Sequence, residues 1–142
     1  MKEIVEFAKR MGYKKIGLAF CKGLKKEAKI FDGILREHGF AVSSIVCKNG
    51  GISKEQFGIG DADKLRPGSF EPSCNPIAQA LFLNKEKVEL NVVIGLCVGH
   101  DTLFYKYAEA PCTTLITKDR VLAHNPAGAL YCHESYYKKQ LK

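Results

Sequence analysis

Six cysteines in 142 residues are the groups most able to do chemistry here, and four of them stand where chemistry is usually placed. Cys21 closes the apolar run Ile16–Phe20, Cys47 closes Phe40–Val46, Cys74 precedes Asn75-Pro76, and Cys97 ends the run Asn91–Leu96. Four thiolates suffice for tetrahedral zinc or for an iron–sulfur cluster, and three leave an open position. Their separations are 26, 27 and 23 positions with no C-x-x-C pair. Any shared site must therefore be assembled by the fold. The competing reading is that the thiols are small buried hydrophobes in a non-catalytic binding domain.

A second chemistry starts from Gly95-Leu-Cys97-Val-Gly99, which has the spacing of a nucleophile elbow with cysteine in place of serine. Such a metal-free thiol enzyme needs a histidine base within reach of the thiol. His100, His124 and His133 are the candidates; His100 is only three residues away and suits a turn, and His124 is the better base, with Cys97 as nucleophile. A redox version takes Cys74, activated at a helix N-terminus, as resolving partner. No Walker or dinucleotide glycine loop follows the first apolar run. Asp61-Ala-Asp63 lacks the glycine and glutamate that would complete a calcium loop.

The elements that must position these residues follow from periodicity. Residues 2–11 read as a helix with apolar positions Ile4, Val5, Ala8 and Met11, and Lys15–Phe20 as a strand. Leu24, Ala28, Phe31 and Leu35 give an amphipathic helix stopped at Gly39. Phe40–Cys47 reads as a strand, and Asn75-Pro76 opens a helix because proline suits the first turn. Asn91–Cys97 reads as a buried strand, followed by a short helix containing Leu103, Phe104 and Tyr107. Cys112–Thr117 reads as a strand, Val121–His124 as a short extra one, and Asn125-Pro126 opens a final helix that ends in lysines. Strands alternating with helices predict an α/β fold, three-layered and doubly wound about a mostly parallel sheet, flavodoxin-like.

In such sheets ligands bind beyond the carboxyl ends of the strands. Cys21, Cys47, Cys74 and Cys97 are therefore the expected metal set, with iron–sulfur or zinc undecided, and Cys21, Cys74 and Cys97 as its cofactor-binding core. Cys112 falls at the opposite end of its strand and Cys132 in the last helix, where both read as core. The Gly-, Asp- and Pro-rich stretch 48–73 has no sustained period and is expected to be a loop, a lid in function.

Composition sets the outer limits. The length fits a single domain over 1–142, and 46% hydrophobic with 26% charged residues is a globular balance. The longest apolar stretches fall short of the roughly 20 residues of a membrane span. The charged, helical start is unlike a secretion signal, so the expected location is the cytoplasm, where thiols stay reduced. The net charge of +7 is spread over scattered lysines, such as Lys25, Lys26 and Lys29, and over Lys138, Lys139 and Lys142 near the end. No aromatic-basic motif or zinc-finger spacing accompanies it, so nucleic acid is disfavoured as partner. The small-molecule or redox partner is not encoded in any motif.

Phe20-Cys21, Arg66-Pro-Gly-Ser-Phe70, Cys74-Asn-Pro-Ile-Ala-Gln79, Gly95-Leu-Cys-Val-Gly-His-Asp101 and His124-Asn-Pro126 together resemble a family described only as uncharacterised metal-binding proteins. It is a domain of unknown function found largely in archaea and anaerobic bacteria. The resemblance covers most of the chain and implies a ligand class, not a reaction. Cys21, Cys74 and Cys97 fall in its motifs, Cys47 matches less distinctively, and Cys112 and Cys132 lie outside. It also implies that many members carry a further cysteine-rich segment ahead of the first helix.

Overall fold

A computed structural model describes residues 1–139 of the chain. Five helices, α1 (Lys2–Arg10), α2 (Lys25–Glu37), α3 (Pro76–Lys85), α4 (His100–Tyr107) and α5 (Pro126–Tyr131), alternate with four strands, β1 (Lys15–Phe20), β2 (Ala41–Val46), β3 (Leu90–Ile94) and β4 (Cys112–Ile116). The strands form one parallel sheet in the order β2-β1-β3-β4. This is the expected flavodoxin-like α/β arrangement. The chain turns outward to opposite sides of β1, which makes the β1/β3 boundary the topological switch point.

Two cores hold the layers together. On one face Val5 and Ala8 of α1 and Ala28, Phe31 and Leu35 of α2 pack on Ile16, Leu18, Val92 and Ile94. On the other, Ala80 and Leu83 of α3 and Phe104 of α4 pack on Ala19 and Val93. The split follows from the pleat, which sends successive side chains of β1 and β3 to opposite faces. β3 is buried along its whole length and β1 from Ile16 to Ala19, while β2 and β4 are the partly exposed edges.

Pairing is in step at one rim. Phe20 lies opposite both Val46 and Ile94, and Ile94 opposite Ile116. The ladder continues one residue further through Cys21 N–H to Ile94 O (3.1 Å), Cys47 N–H to Phe20 O (2.8 Å) and Gly95 N–H to Ile116 O (2.8 Å). Gln79 of α3, fully buried, donates from Nε2 to the carbonyls of Ile45 (2.9 Å) and Phe20 (3.3 Å), tying the helix across two strand ends.

Several boundaries differ from the sequence reading. β3 ends at Ile94 rather than Cys97 because Gly95 takes φ +62° and bends the chain. Val121–His124 is a turn, not a strand. Ala123 and His124 have φ of 52° and 59°, outside the extended region, and the Asp119 carboxylate accepts the N–H groups of Val121 and Leu122. α5 stops at Tyr131 and does not reach the lysines, and Lys142 lies outside the described residues. Cys132 caps α5 and is exposed rather than in the core, and Cys112 opens β4 half-buried, at the opposite edge as expected. No helix among the described residues is long and apolar enough to cross a membrane.

Gly95 carries the bend into the site. A β-carbon there would collide with the side chain of Leu24, which is 4% exposed, and its φ disfavours any L side chain. Gly95→Ala is expected to lower unfolding stability by about 2–4 kcal/mol, from backbone strain and overpacking together. Urea unfolding of the two proteins measures it, and an unchanged midpoint would remove this role from Gly95.

Candidate functional site

The level rim delivers the thiols to one place. Cys21 directly follows β1, Cys47 directly follows β2, Cys74 stands two residues before α3, and Cys97 lies between the end of β3 and α4. All four line a single crevice of about 770 Å³, as do His100 and His124. One wall comes from the 48–73 loop, through Lys48, Lys54, Leu65, Glu71 and Ser73, and Lys22, Gly23, Lys118 and Arg120 complete the lining. Cys112 instead lines depressions beside Pro111, and the exposed Cys132 is not among the crevice residues.

Three thiols form a graded chain. The sulfurs of Cys47 and Cys74 are 3.8 Å apart, and Cys21 is the hydrogen-bond partner of Cys47 on its other side. Donation to Cys47, reinforced by burial, pushes the Cys21 thiol up to about 12, against the opposing pull of Lys118 Nζ at 2.7 Å. Cys47 is helped towards its thiolate by Cys21, but its interaction with Cys74 and its burial at 3% exposure outweigh that, and the net direction is up. Cys74 receives the benefit. The Cys47 hydrogen bond lowers its thiol to about 7 against burial, with Lys48 adding to the pull. Negative charge is thus concentrated at the α3 end of the chain.

Backbone and cations complete the environment of the sulfurs. Gly23 N–H points to Cys21 Sγ and Lys22 N–H to Cys47 Sγ, each at 3.4 Å. Arg120 Nη2 lies 3.2 Å from Cys97 Sγ. Asn75 caps α3 by accepting the Ala78 N–H at 2.9 Å, which fixes the turn that carries Cys74. Sequence reading missed Lys118 and Arg120. Both follow β4 at its carboxyl end, so the placement rule that selected the cysteines also applied to them; only their common residue type hid them.

The loop is held down by a buried carboxylate. Glu71, 8% exposed, accepts Lys48 Nζ at 3.2 Å and Lys54 Nζ at 2.9 Å on one oxygen and the Leu65 N–H at 2.8 Å on the other. The Lys54 pairing is the main cause that draws its carboxyl from 4.5 down to about 2. A single antiparallel bridge joins Ser53 to Pro72. Lys64, nearly buried, pairs with Asp61 at 2.8 Å and with Glu55.

The elbow around Cys97 is partly realised. A strand precedes it and a helix follows, but the positive φ values fall on Gly95 and Gly99 (62° and 88°) and not on the cysteine. His124 Nδ1 accepts the Asp119 N–H at 3.1 Å, and Arg120 is the side chain in hydrogen-bond contact with the Cys97 sulfur. Among the described residues, no three His, Cys, Asp or Glu side chains are gathered as one metal ion would require. The crevice holds one contacting thiol pair, a third thiol bonded to it, and Cys97 across from Arg120.

Residues 1–115 match the pattern of a family described as "Protein of unknown function (DUF1847)". The chain is also similar to the "Uncharacterized protein MJ0455" of Methanocaldococcus jannaschii, with 53% identity over 141 residues, spanning 99% of this chain and 70% of that protein.

Two outcomes follow from these interactions. In the metal-free chain at neutral pH, iodoacetamide should modify Cys74 first and Cys21 last among the crevice cysteines, and Cys47→Ala should slow the modification of Cys74 by raising its pKa. Peptide mass mapping reads the order; Cys21 reacting ahead of Cys74 would refute it. Glu71 is depressed in the folded state, so its contribution is fully present above about 4.5 and is lost as pH falls through about 2. The Leu65 N–H should therefore keep its exchange protection at pH 4 and lose it near pH 2, while Glu71→Gln should expose the loop to protease already at pH 7. Loss of protection at pH 4 would contradict the clasp.

Proposed function

The chain belongs to this family of unknown function, and for its crevice we propose an iron–sulfur cluster held by the thiolates of Cys21, Cys47, Cys74 and Cys97. One observation carries the reading: four thiols from four separate strand and helix ends line one crevice. A single zinc ion needs its ligands about one centre. A cluster spreads its cysteines over more than one iron, so a dispersed set suits it better. The Cys47–Cys74 distance of 3.8 Å equals that of two thiolates on one tetrahedral metal, about 3.8 Å for bonds of about 2.3 Å.

The surroundings support the same reading. Ligating thiolates carry negative charge, and Lys118 and Arg120 at 2.7 and 3.2 Å from two of the sulfurs offset it. The Gly23 and Lys22 N–H groups point at Cys21 and Cys47, the kind of hydrogen bond that tunes a cluster's potential. When bound, such a cluster supplies one-electron transfer. The chain's own residues hold its ligands on a rigid sheet edge, screen them with the 48–73 loop and leave the Cys97 side open.

A second reading, metal-free dithiol chemistry, is favoured by the same contact. Cys74 is half-buried and Cys47 almost fully so, which suits an attacking and a resolving thiol 3.8 Å apart. Anaerobic purification with iron, sulfide and zinc analysis and a visible spectrum separates the readings. Iron with sulfide and visible absorption is expected, lost on Cys21→Ser or Cys74→Ser and kept on Cys112→Ser and Cys132→Ser. Zinc without iron would overturn the cluster, and a metal-free chain that forms a Cys47–Cys74 disulfide on addition of a thiol oxidant such as diamide, which takes up the two electrons and two protons, would replace it with the dithiol.

A further inference from the structure

The crevice gathers more cations than its carboxylates can pair. Glu71 is the one carboxylate among its described lining residues, and Lys48 and Lys54 already occupy it. Lys22, Lys118 and Arg120 also line the crevice, and none of the three is in an ion pair with a carboxylate among the described residues. Lys118 and Arg120 point at sulfur, and the Lys22 side chain has no hydrogen-bond partner there. Lys118 is half-buried and Lys22 and Arg120 are exposed; cations gathered on one cleft without paired carboxylates raise its potential and draw negative ligands into it.

A buried polar atom stands in the same wall. The Ser73 hydroxyl oxygen is shielded and has no hydrogen-bond partner, although buried hydroxyls are nearly always satisfied. Ser73 lines this crevice next to Cys74. The volume of about 770 Å³ falls in the range of small-molecule sites.

From these observations we infer that the crevice binds a small-molecule oxyanion, a carboxylate or a phosphate, between Lys22, Lys118, Arg120 and the hydroxyl of Ser73. Arg120 offers a planar fork matched to two oxygens, Lys22 and Lys118 add point charge, and the unpartnered Ser73 hydroxyl donates once it rotates towards the crevice. This assignment goes beyond the cluster and does not require it: the side chains of Lys22 and Ser73 have no hydrogen bond to sulfur, while Lys118 and Arg120 are shared with Cys21 and Cys97. Beside a cluster, the oxyanion would sit within reach of the sulfur edge, as a substrate would.

The test is calorimetric titration of the chain as purified with inorganic phosphate and, separately, with succinate. The two arms distinguish a phosphoryl ligand from a carboxylate. Saturable binding of at least one is expected, weakened at least about tenfold by Arg120→Gln or Lys118→Gln, less by Ser73→Ala, and unchanged by Lys26→Gln on α2. As a measurement free of any folding defect, the Gly23 and Ser73 amide resonances of the unaltered chain should shift saturably with the bound anion. No saturable binding of either anion, crevice variants that bind like the parent, or shifts spread over surface lysines instead would each overturn the inference. Metal content followed in parallel keeps this outcome separate from that of the cluster.

Discussion

The structure depends on the register of a parallel ladder. Because Phe20 pairs at once with Val46 and Ile94, the central strand ends level with both neighbours, and the next residues of β1 and β2, both cysteines, emerge side by side. A one-residue slip would turn every side chain of a strand to the other face. The two cores forbid it, since Ile16 and Leu18 must face α1 and α2 while Ala19 faces α3. Packing of apolar side chains therefore fixes where the sulfurs meet, at the switch point where open sheets of this kind place their ligands.

Polar groups refine that placement. Gln79 spends its amide hydrogens on the strand-end carbonyls of Ile45 and Phe20, and so seats α3 over the rim. With α3 seated, Cys74 comes within 3.8 Å of Cys47 although 27 positions separate them. The graded chain from Cys21 to Cys74 then follows from the hydrogen bonds that link the thiols, with burial second, and Lys48 adds to the pull on Cys74. The same donors and cations suit ligated thiolates, so the polar shell is prepared for charge on sulfur in either reading of the site.

The long loop is a wall of the crevice. Its segment 48–73 has little regular structure and would be costly to order by backbone pairing, since only one bridge joins its two limbs. Order comes instead from Glu71, whose two oxygens gather Lys48, Lys54 and the Leu65 N–H from three points along the loop. A carboxylate so placed is sheltered and fully compensated, and it uses up the one acid among the described lining residues that might have paired with Lys22, Lys118 or Arg120. The positive character of the crevice is thus a consequence of how the loop is tied.

The sequence by itself determined the alternation of strands and helices, because apolar periodicity and the Asn-Pro helix starts are local signals. It also determined that Cys21, Cys47, Cys74 and Cys97 belong to one edge, since strand ends can be read from the same periodicity, and the structure places all four in one crevice. It misjudged the end of β3 and the turn at Val121–His124, where positive φ at Gly95, Ala123 and His124 is dictated by neighbours and not by residue type alone. Only the tertiary structure decided the distances between sulfurs, the order of their proton affinities and the part played by Lys118 and Arg120. Those quantities depend on burial and on contacts between residues up to 97 positions apart, such as Lys118 and Cys21, and no local pattern in a chain encodes a separation in space.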